Sequence, residues 1–230
     1  MIPKVSVIII SHDRPIYLKE AIDSLLKQTD PSWEAIIMET SAGMAPLNIL
    51  RHIADSRIRI VFMNSDNTSA LWNAGIQISC GKYISFLDDD NRKTPTFIEK
   101  LSRYLDVNYE KSGVACHWGI INETGARTEE RIVPENITFE IERERNYIDN
   151  GGLLLRREVF SWIEGFDESF NTTEDWDLIL RLLKKGGQIG TLQEVLSEYR
   201  SHSGNKSHRS LELGREKDYA KMMAKHTVLA

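Results

Sequence analysis

Residues Val5-Ser6-Val7-Ile8-Ile9-Ile10 are almost continuously apolar and β-branched. A run of that kind is covered on both faces, as in a central parallel strand. It ends in Ser11-His12-Asp13-Arg14-Pro15, and Pro15 suits the first turn of a helix carrying Tyr17, Leu18, Ala21, Ile22, Leu25 and Leu26 at helical spacing. A second strand is predicted from Trp33 to Met38, leading into Glu39-Thr40-Ser41-Ala42-Gly43. The chain therefore opens with a βαβ unit and its right-handed crossover. The pattern continues with a helix from Pro46 to Ala54, a strand from Ile58 to Phe62 and a helix from Ser69 to Ser79. After Gly81, the run Lys82-Tyr83-Ile84-Ser85-Phe86-Leu87 reads as a buried strand that ends in Asp88-Asp89-Asp90-Asn91.

Beyond the acids, the pattern predicts an amphipathic helix from Pro95 to Leu105 and a strand from Gly113 to Ile121. From Asn122 to Asn146 the chain is polar and densely charged, with Pro134 inside it, and reads as a long excursion from a core that resumes afterwards. Gly151-Gly152 precedes Leu153-Leu154-Leu155 and a helix from Arg156 to Ile163. Gly165-Phe166-Asp167-Glu168 forms a turn, and Thr173-Glu174-Asp175-Trp176-Asp177 opens a strongly apolar helix through Leu183 that stops at Gly186-Gly187. Gln188 to Leu196 has strand character, and Leu211 to Met223 that of a surface helix of mixed charge. The order of elements predicts a single α/β domain over residues 1–210, in which residues 1–91 make half of a doubly wound sheet. Residues 211–230 form a C-terminal helix.

Composition narrows the class. The 41% hydrophobic and 27% charged fractions are those of an ordinary soluble domain, and a net charge of -5 offers no basic footprint for nucleic acid. Cys80 and Cys116 stand alone, without the spacing of a structural zinc site or a disulfide scaffold, which favours a reducing compartment. The expectation is a cytoplasmic protein without a spanning segment, with peripheral contact at the inner face of the membrane left open. Oligomeric state is not legible. No Gly-x-Gly-x-x-Gly follows the first strand and no Walker-type loop occurs, which disfavours a dinucleotide dehydrogenase or a P-loop NTPase.

The candidate chemistry lies at strand ends. In an open α/β sheet, ligands bind beyond the carboxyl ends of the strands. Three adjacent carboxylates there suit a hard divalent cation, and strand alternation sets Asp88 and Asp90 on one face with Asp89 on the other. The competing explanation is a solvated loop that caps the next helix. Acids at a helix N-terminus are commonly caps, which accounts well for Asp177. A second and third acid, Glu174 and Asp175, exceed what capping needs, and a carboxylate near Trp176 suits a general base. His202, an ordinary surface histidine on its own, would complete a mixed oxygen and nitrogen metal shell with the distant acids. Arg200 and Lys206 are candidates for phosphate.

Five stretches in order resemble glycosyltransferase family 2. They are the opening strand through Pro15, Asn73-Ala74-Gly75 with the block from Gly81 to Asp90, Gly165-Phe166-Asp167-Glu168, Glu174-Asp175-Trp176-Asp177-Leu178, and Tyr199-Arg200-x-His202. The resemblance implies the A-type glycosyltransferase fold, a Rossmann-like mixed and mainly parallel sheet flanked by helices, with residues 1–91 as the nucleotide-binding half and 92–210 as the acceptor-binding half. It also implies a nucleotide-diphosphate sugar donor, with UDP the first expectation, Mn²⁺ or Mg²⁺, and a glycan, lipid-linked or other hydroxyl acceptor. Residue by residue, it implies Ser11, Asp13, Glu39, Asn73, Asp88 and Asp89 at the nucleotide, and Asp90, Asp88 and His202 at the metal. Asp175 would be the base, with Glu174 beside it. The chain departs from the family pattern at Glu39-Thr40, where two acids are usual, at Trp72, where an Arg is usual, and at Asn91, where another Asp is common. Those departures bear on which nucleotide is bound. The rival expectations are a non-catalytic carbohydrate- or partner-binding module of the same fold and a sugar-nucleotidyltransferase. The latter should carry a basic, Gly-rich loop where this chain offers only Arg14.

Overall fold

The computed structural model describes residues 2–41, 48, 53–205 and 215–227. Its strands are Val5–Ser11 (β1), Trp33–Glu39 (β2), Ile58–Phe62 (β3), Tyr83–Asp88 (β4), Arg92–Lys93 (β5), Gly113–Ile121 (β6), Arg127–Arg131 (β7), Leu153–Arg156 (β8) and Ile189–Arg200 (β9). They form one nine-stranded sheet in the order β3-β2-β1-β4-β8-β6-β9-β5, with β7 paired to β6. Strands β1 to β4 are parallel, β8 runs antiparallel to both β4 and β6, and β6 and β9 are parallel. The register sets Ile10 beside Asp88 and Ser11 beside Glu39, so three strands deliver their last residues to one edge.

Alternation along β1 explains the two layers. Val7 and Ile9 face Leu18, Ile22 and Leu25 of α1 (Pro15–Leu26) and Phe97 and Leu101 of α3 (Phe97–Val107). Ile8 faces the other way and joins Leu71 and Trp72 of α2 (Thr68–Ile78), Phe160 of α5 (Val159–Ile163) and Leu178 and Leu182 of α6 (Glu174–Lys184). Trp72, one of the departures from the family pattern, is a core residue set edge-on to Phe86 and stacked against Phe166.

Several expectations change. The excursion from Asn122 to Asn146 contains strand β7 and helix α4 (Phe139–Glu144), which packs on α6. Leu153 to Arg156 is strand throughout, and α5 starts only at Val159. The buried Arg156 guanidinium explains this, because it donates to the carbonyls of Leu105, Asn108 and Lys111 and so locks its residue into the sheet. Strand β9 runs on to Arg200, past the expected end at Leu196. The last helix, α7, spans Arg215–Lys225. Most of the helix expected from Pro46 to Ala54 lies outside the described residues, as do residues 211–214. No helix among the described residues is long and apolar enough to cross a membrane.

Candidate active site

Strand β4 stops at Asp88, and Asp89 and Asp90 form a turn. The expected alternation therefore ends with Asp88, and Asp89 and Asp90 are reached by one side chain. Arg14 Nη1 donates to Asp89 Oδ1 at 3.1 Å and to Asp90 Oδ2 at 2.7 Å. The amide of His12 also donates to Asp89, at 3.1 Å, and Arg14 Nη2 donates to the Gly204 carbonyl. Burial and the neighbouring Asp90 push the Asp89 carboxyl up to about 7, against the opposing pull of Arg14. Burial and Asp90 likewise hold Asp88 well above the usual carboxylate range. Asn91 Nδ2 donates to Asp88 Oδ2 at 3.2 Å, while its Oδ1 accepts the Arg200 amide, so Asn91 ties the acidic turn to the end of β9.

At the neighbouring strand ends, the Ser11 hydroxyl and Glu39 Oε2 are buried and have no hydrogen-bond partner among the described residues. Glu39 Oε1 accepts the Ser41 amide. Asp13 is exposed and takes φ 49°, a left-handed conformation that Asp tolerates better than most residues. Glu174 and Asp175 occupy the first turn of α6, and Asp175 Oδ1 accepts the Trp176 amide at 2.8 Å. Glu174 reaches the acidic strand end, where its charge helps to raise Asp88, and Asp175 helps to raise Asp149. The fold thus gathers Ser11, Glu39, Asp88, Asp89, Asp90, Glu174 and Asp175 about one sheet edge.

Two expected site residues have other tasks. Arg200 is fully buried and is not available to phosphate. Its guanidinium donates to the carbonyls of Asp90, Asn122 and Glu123 and to Glu20, and lies over the Tyr17 ring. Asn73 is not free for a nucleotide either, since its amide donates to the Phe166 carbonyl and to Glu168 and accepts the Phe166 amide. Lys206 lies outside the described residues. His202 does meet Asp90, but as a hydrogen-bond donor. Its Nδ1 accepts the Gly204 amide at 3.1 Å, which leaves the ring proton on Nε2, 3.0 Å from Asp90 Oδ2. His202 would ligate a metal only after that proton moved.

The carboxylates of Asp88 and Asp90 are the hard oxygen donors that Mg²⁺ or Mn²⁺ takes. Among the described residues no three His, Cys, Asp or Glu side chains are gathered closely enough to hold an ion alone.

The model of glycosyl transferase family 2 matches residues 6–161, two strand-end clusters and the acidic turn included. The chain belongs to glycosyltransferase family 2. Among relatives of this glycosyltransferase, the O-antigen biosynthesis glycosyltransferase WbnJ of Escherichia coli is 29% identical over 206 residues, covering 86% of this chain and 80% of WbnJ. An uncharacterized glycosyltransferase of Nostoc sp. is 29% identical over 234 residues, covering 96% of this chain and 71% of that one. The fold matches the crystal structure of S. aureus TarS 1-349 in complex with UDP-GlcNAc, with a TM-score of 0.73 at 13% identity, over 97% of this chain and 71% of that chain. Against the longer TarS chain, the match spans 42% of its length. The shared fold is the A-type glycosyltransferase fold.

Three polar residues whose charges couple to the candidate site escape a reading of the sequence. Lys93 is buried, lies over the Phe97 ring, donates to the Gly151 carbonyl and to Ser85, and is brought down to about 8 by burial. Burial lifts Asp149 to about 6, with Asp175 adding to the rise and Lys93 opposing it. Glu142 is fully buried and pushed up to about 8 by burial, with a contribution from Asp175, while it accepts the amides of Tyr147 and Ile148. Only Asp149 carries a sequence signal, an acid placed just before the turn residues Asn150-Gly151-Gly152.

Proposed function

We propose that this glycosyltransferase takes the sugar of a UDP-sugar and passes it, with inversion, to a hydroxyl of a glycan or lipid-linked glycan acceptor. The observation that carries the reading is the placement of two carboxylate groups at one edge of the sheet: the acidic turn at β4 and the Glu174-Asp175 pair at the head of α6, with Glu174 acting on Asp88. Ser11 and Glu39 suit the uracil end, because a buried carboxylate oxygen without a partner is an acceptor for a ring N–H. Asp88 and Asp90 would hold Mn²⁺ or Mg²⁺, which when bound supplies Lewis-acid stabilisation of the departing diphosphate. Asp175 takes the proton of the acceptor hydroxyl as its oxygen bonds to the anomeric carbon, and the bond from that carbon to the diphosphate oxygen breaks. One displacement on the face opposite the leaving group inverts the centre. Retention would need a carboxylate nucleophile, and a single positioned base suffices without one.

Support for a UDP-sugar comes from the likeness to TarS, which was crystallised with UDP-GlcNAc and with UDP. Support for a surface polysaccharide comes from WbnJ, named for O-antigen biosynthesis. Calorimetry with UDP, GDP and dTDP, each with and without Mn²⁺, tests the donor half. One nucleotide should bind in a metal-dependent way and lose that binding in Asp90→Ala. Asp175→Asn should bind the same nucleotide normally and transfer sugar roughly 10²–10⁴-fold more slowly. Transfer by Asp175→Asn near the wild-type rate would remove the base assignment, and no nucleotide binding by the folded wild type would favour the non-catalytic module.

A further inference from the structure

The sequence predicts a mixed-charge surface helix at the C-terminal end, yet α7 is keyed into the segment that carries Asp175. Residues 165–173 lead into α6 and are held from two sides. On one side, Asn67 Nδ2 donates to the Glu168 carbonyl at 2.7 Å and Ser69 Oγ to the Phe170 carbonyl at 2.8 Å, both from the start of α2. On the other side stands α7. Asp218 Oδ2 accepts three hydrogen bonds from two consecutive residues: the Asn171 amide at 3.0 Å, the Thr172 amide at 3.2 Å and the Thr172 hydroxyl at 2.9 Å. Lys221 Nζ donates to the Ser169 carbonyl at 3.0 Å.

The grip extends past Asp175 in both directions. Met222 is fully buried with Phe170, Trp176 and Leu180, and the Tyr219 ring lies 5.7 Å from that of Trp176, the residue after Asp175. Asp177 is fully buried, and its Oδ1 meets His226 Nε2 and Lys225 Nζ at 2.8 Å each, while its Oδ2 accepts from Arg181 Nε at 2.7 Å. An apolar strap would need only Met222. The polar contacts instead fix the backbone at 171–172 and the side chain at 177, on either side of the carboxylate. This helix also lies beyond residues 6–161, the part matched by the family.

We propose that α7 is a positioning element for the reaction, with Asp218 and His226 as positioning residues that aim Asp175 at the acceptor hydroxyl. The inference rests on Asp175 being the general base. A base displaced by about 1 Å can lose on the order of 10²-fold in rate while substrate binding, made by other elements, is untouched. In this reading donor binding belongs to the ends of β1, β2 and β4, and the hydrogen bonds and ion pairs of α7 go instead to residues 167–177. Failure of the grip should therefore lower kcat and leave UDP affinity alone.

The test measures UDP affinity by calorimetry and UDP release from UDP-GlcNAc, UDP-glucose and UDP-galactose in the full chain with Mn²⁺, with water, and then added glycan, as the hydroxyl that takes the sugar and gives its proton to Asp175. Asp218→Ala should keep UDP affinity within about twofold and lose roughly 10–100-fold in kcat. Asp218→Asn retains an acceptor oxygen and should recover most of that loss. Thr172→Val removes one donor only and guards against an Asp218→Ala chain that does not fold; its kcat should fall by roughly threefold. Wild-type kcat in Asp218→Ala, or in Thr172→Val if Asp218→Ala does not fold, overturns the inference. So does a parallel loss of UDP affinity and kcat that Asp218→Asn does not rescue, since that marks a purely structural role. Asp175→Asn separates the two readings: if it turns over like wild type the base assignment fails, whereas an inactive Asp175→Asn beside an unaffected Asp218→Ala removes only the role of α7. No UDP release from any of the three donors by wild type overturns both.

Discussion

Arg14 shows how a single residue changes the character of the acidic turn. Two buried carboxylates share its guanidinium, and Asp90 receives His202 on the same oxygen. Each hydrogen bond to a charged group contributes about 1.5–3 kcal/mol, and removing one partner leaves the acids facing each other. Arg14→Gln should therefore lower the melting temperature in the absence of divalent ions by several degrees, taking about 2–4 °C per kcal/mol for a chain of this size. Added Mn²⁺ should raise the melting temperature more in Arg14→Gln than in wild type, since a cation then replaces the missing guanidinium. Equal Mn²⁺-induced shifts in the two proteins would mean that Arg14 does not neutralise the turn. Asp89 and Asp90 were recognisable as site residues because three consecutive acids at a strand end are unusual. Arg14 was visible only as the one basic residue of its loop, because its target is 75 positions away in the chain.

At the scale of elements, the start of α2 matters more than its apolar stripe suggests. Asn67 is its N-cap: Oδ1 accepts the Ala70 amide at 2.9 Å, and Nδ2 reaches the turn before α6. Gly165 opens that turn with φ +69°, and a Cβ there would lie 2.5 Å from Asn73 Oδ1. Helix α2, which joins β3 to β4, and the turn before the helix of the proposed base are thus one unit. Asn67→Ala should cost about 1 kcal/mol for the lost cap and lower the melting temperature by about 2–4 °C. Chemical denaturation curves at equilibrium check this, and a midpoint equal to wild type would mean that the cap and its cross-link carry no stability. The periodicity of α2 and α6 was legible because each buries a stripe at helical spacing. Their joint work through Asn67, Asn73 and the turn was not, because side chain to backbone bonds between distant segments leave no periodic trace.

For the whole molecule, burial raises the carboxyls of several acids, Asp89 to about 7, Asp149 to about 6 and Glu142 to about 8. A carboxyl raised on folding keeps its proton in the native chain after the unfolded chain has released it, so stability falls as pH rises through that window. For Glu142 the window runs from 4.5 to about 8. The wild-type melting temperature should decline between pH 5 and pH 9. Glu142→Gln keeps an oxygen for the Tyr147 and Ile148 amides but cannot ionise, so it should decline less and melt above wild type at pH 9. Melting curves at the two pH values decide it, and an unchanged slope in Glu142→Gln would mean that Glu142 does not titrate in that window.

The sequence alone determined the four strands up to Asp88, the helices before β2 and before β4, the parallel opening of the sheet, the acidic strand end and the acids at the head of α6. All of these follow from local apolar periodicity and from charge placed where periodicity stops. Tertiary structure decided that Arg200 serves the fold rather than phosphate, that Asn73 ties a turn, that His202 donates to Asp90, and that α7 grips the helix of Asp175. Each of these depends on which distant backbone groups a side chain meets once the chain is folded, and hydrogen-bond partners across tens of residues are set by packing, not by spacing.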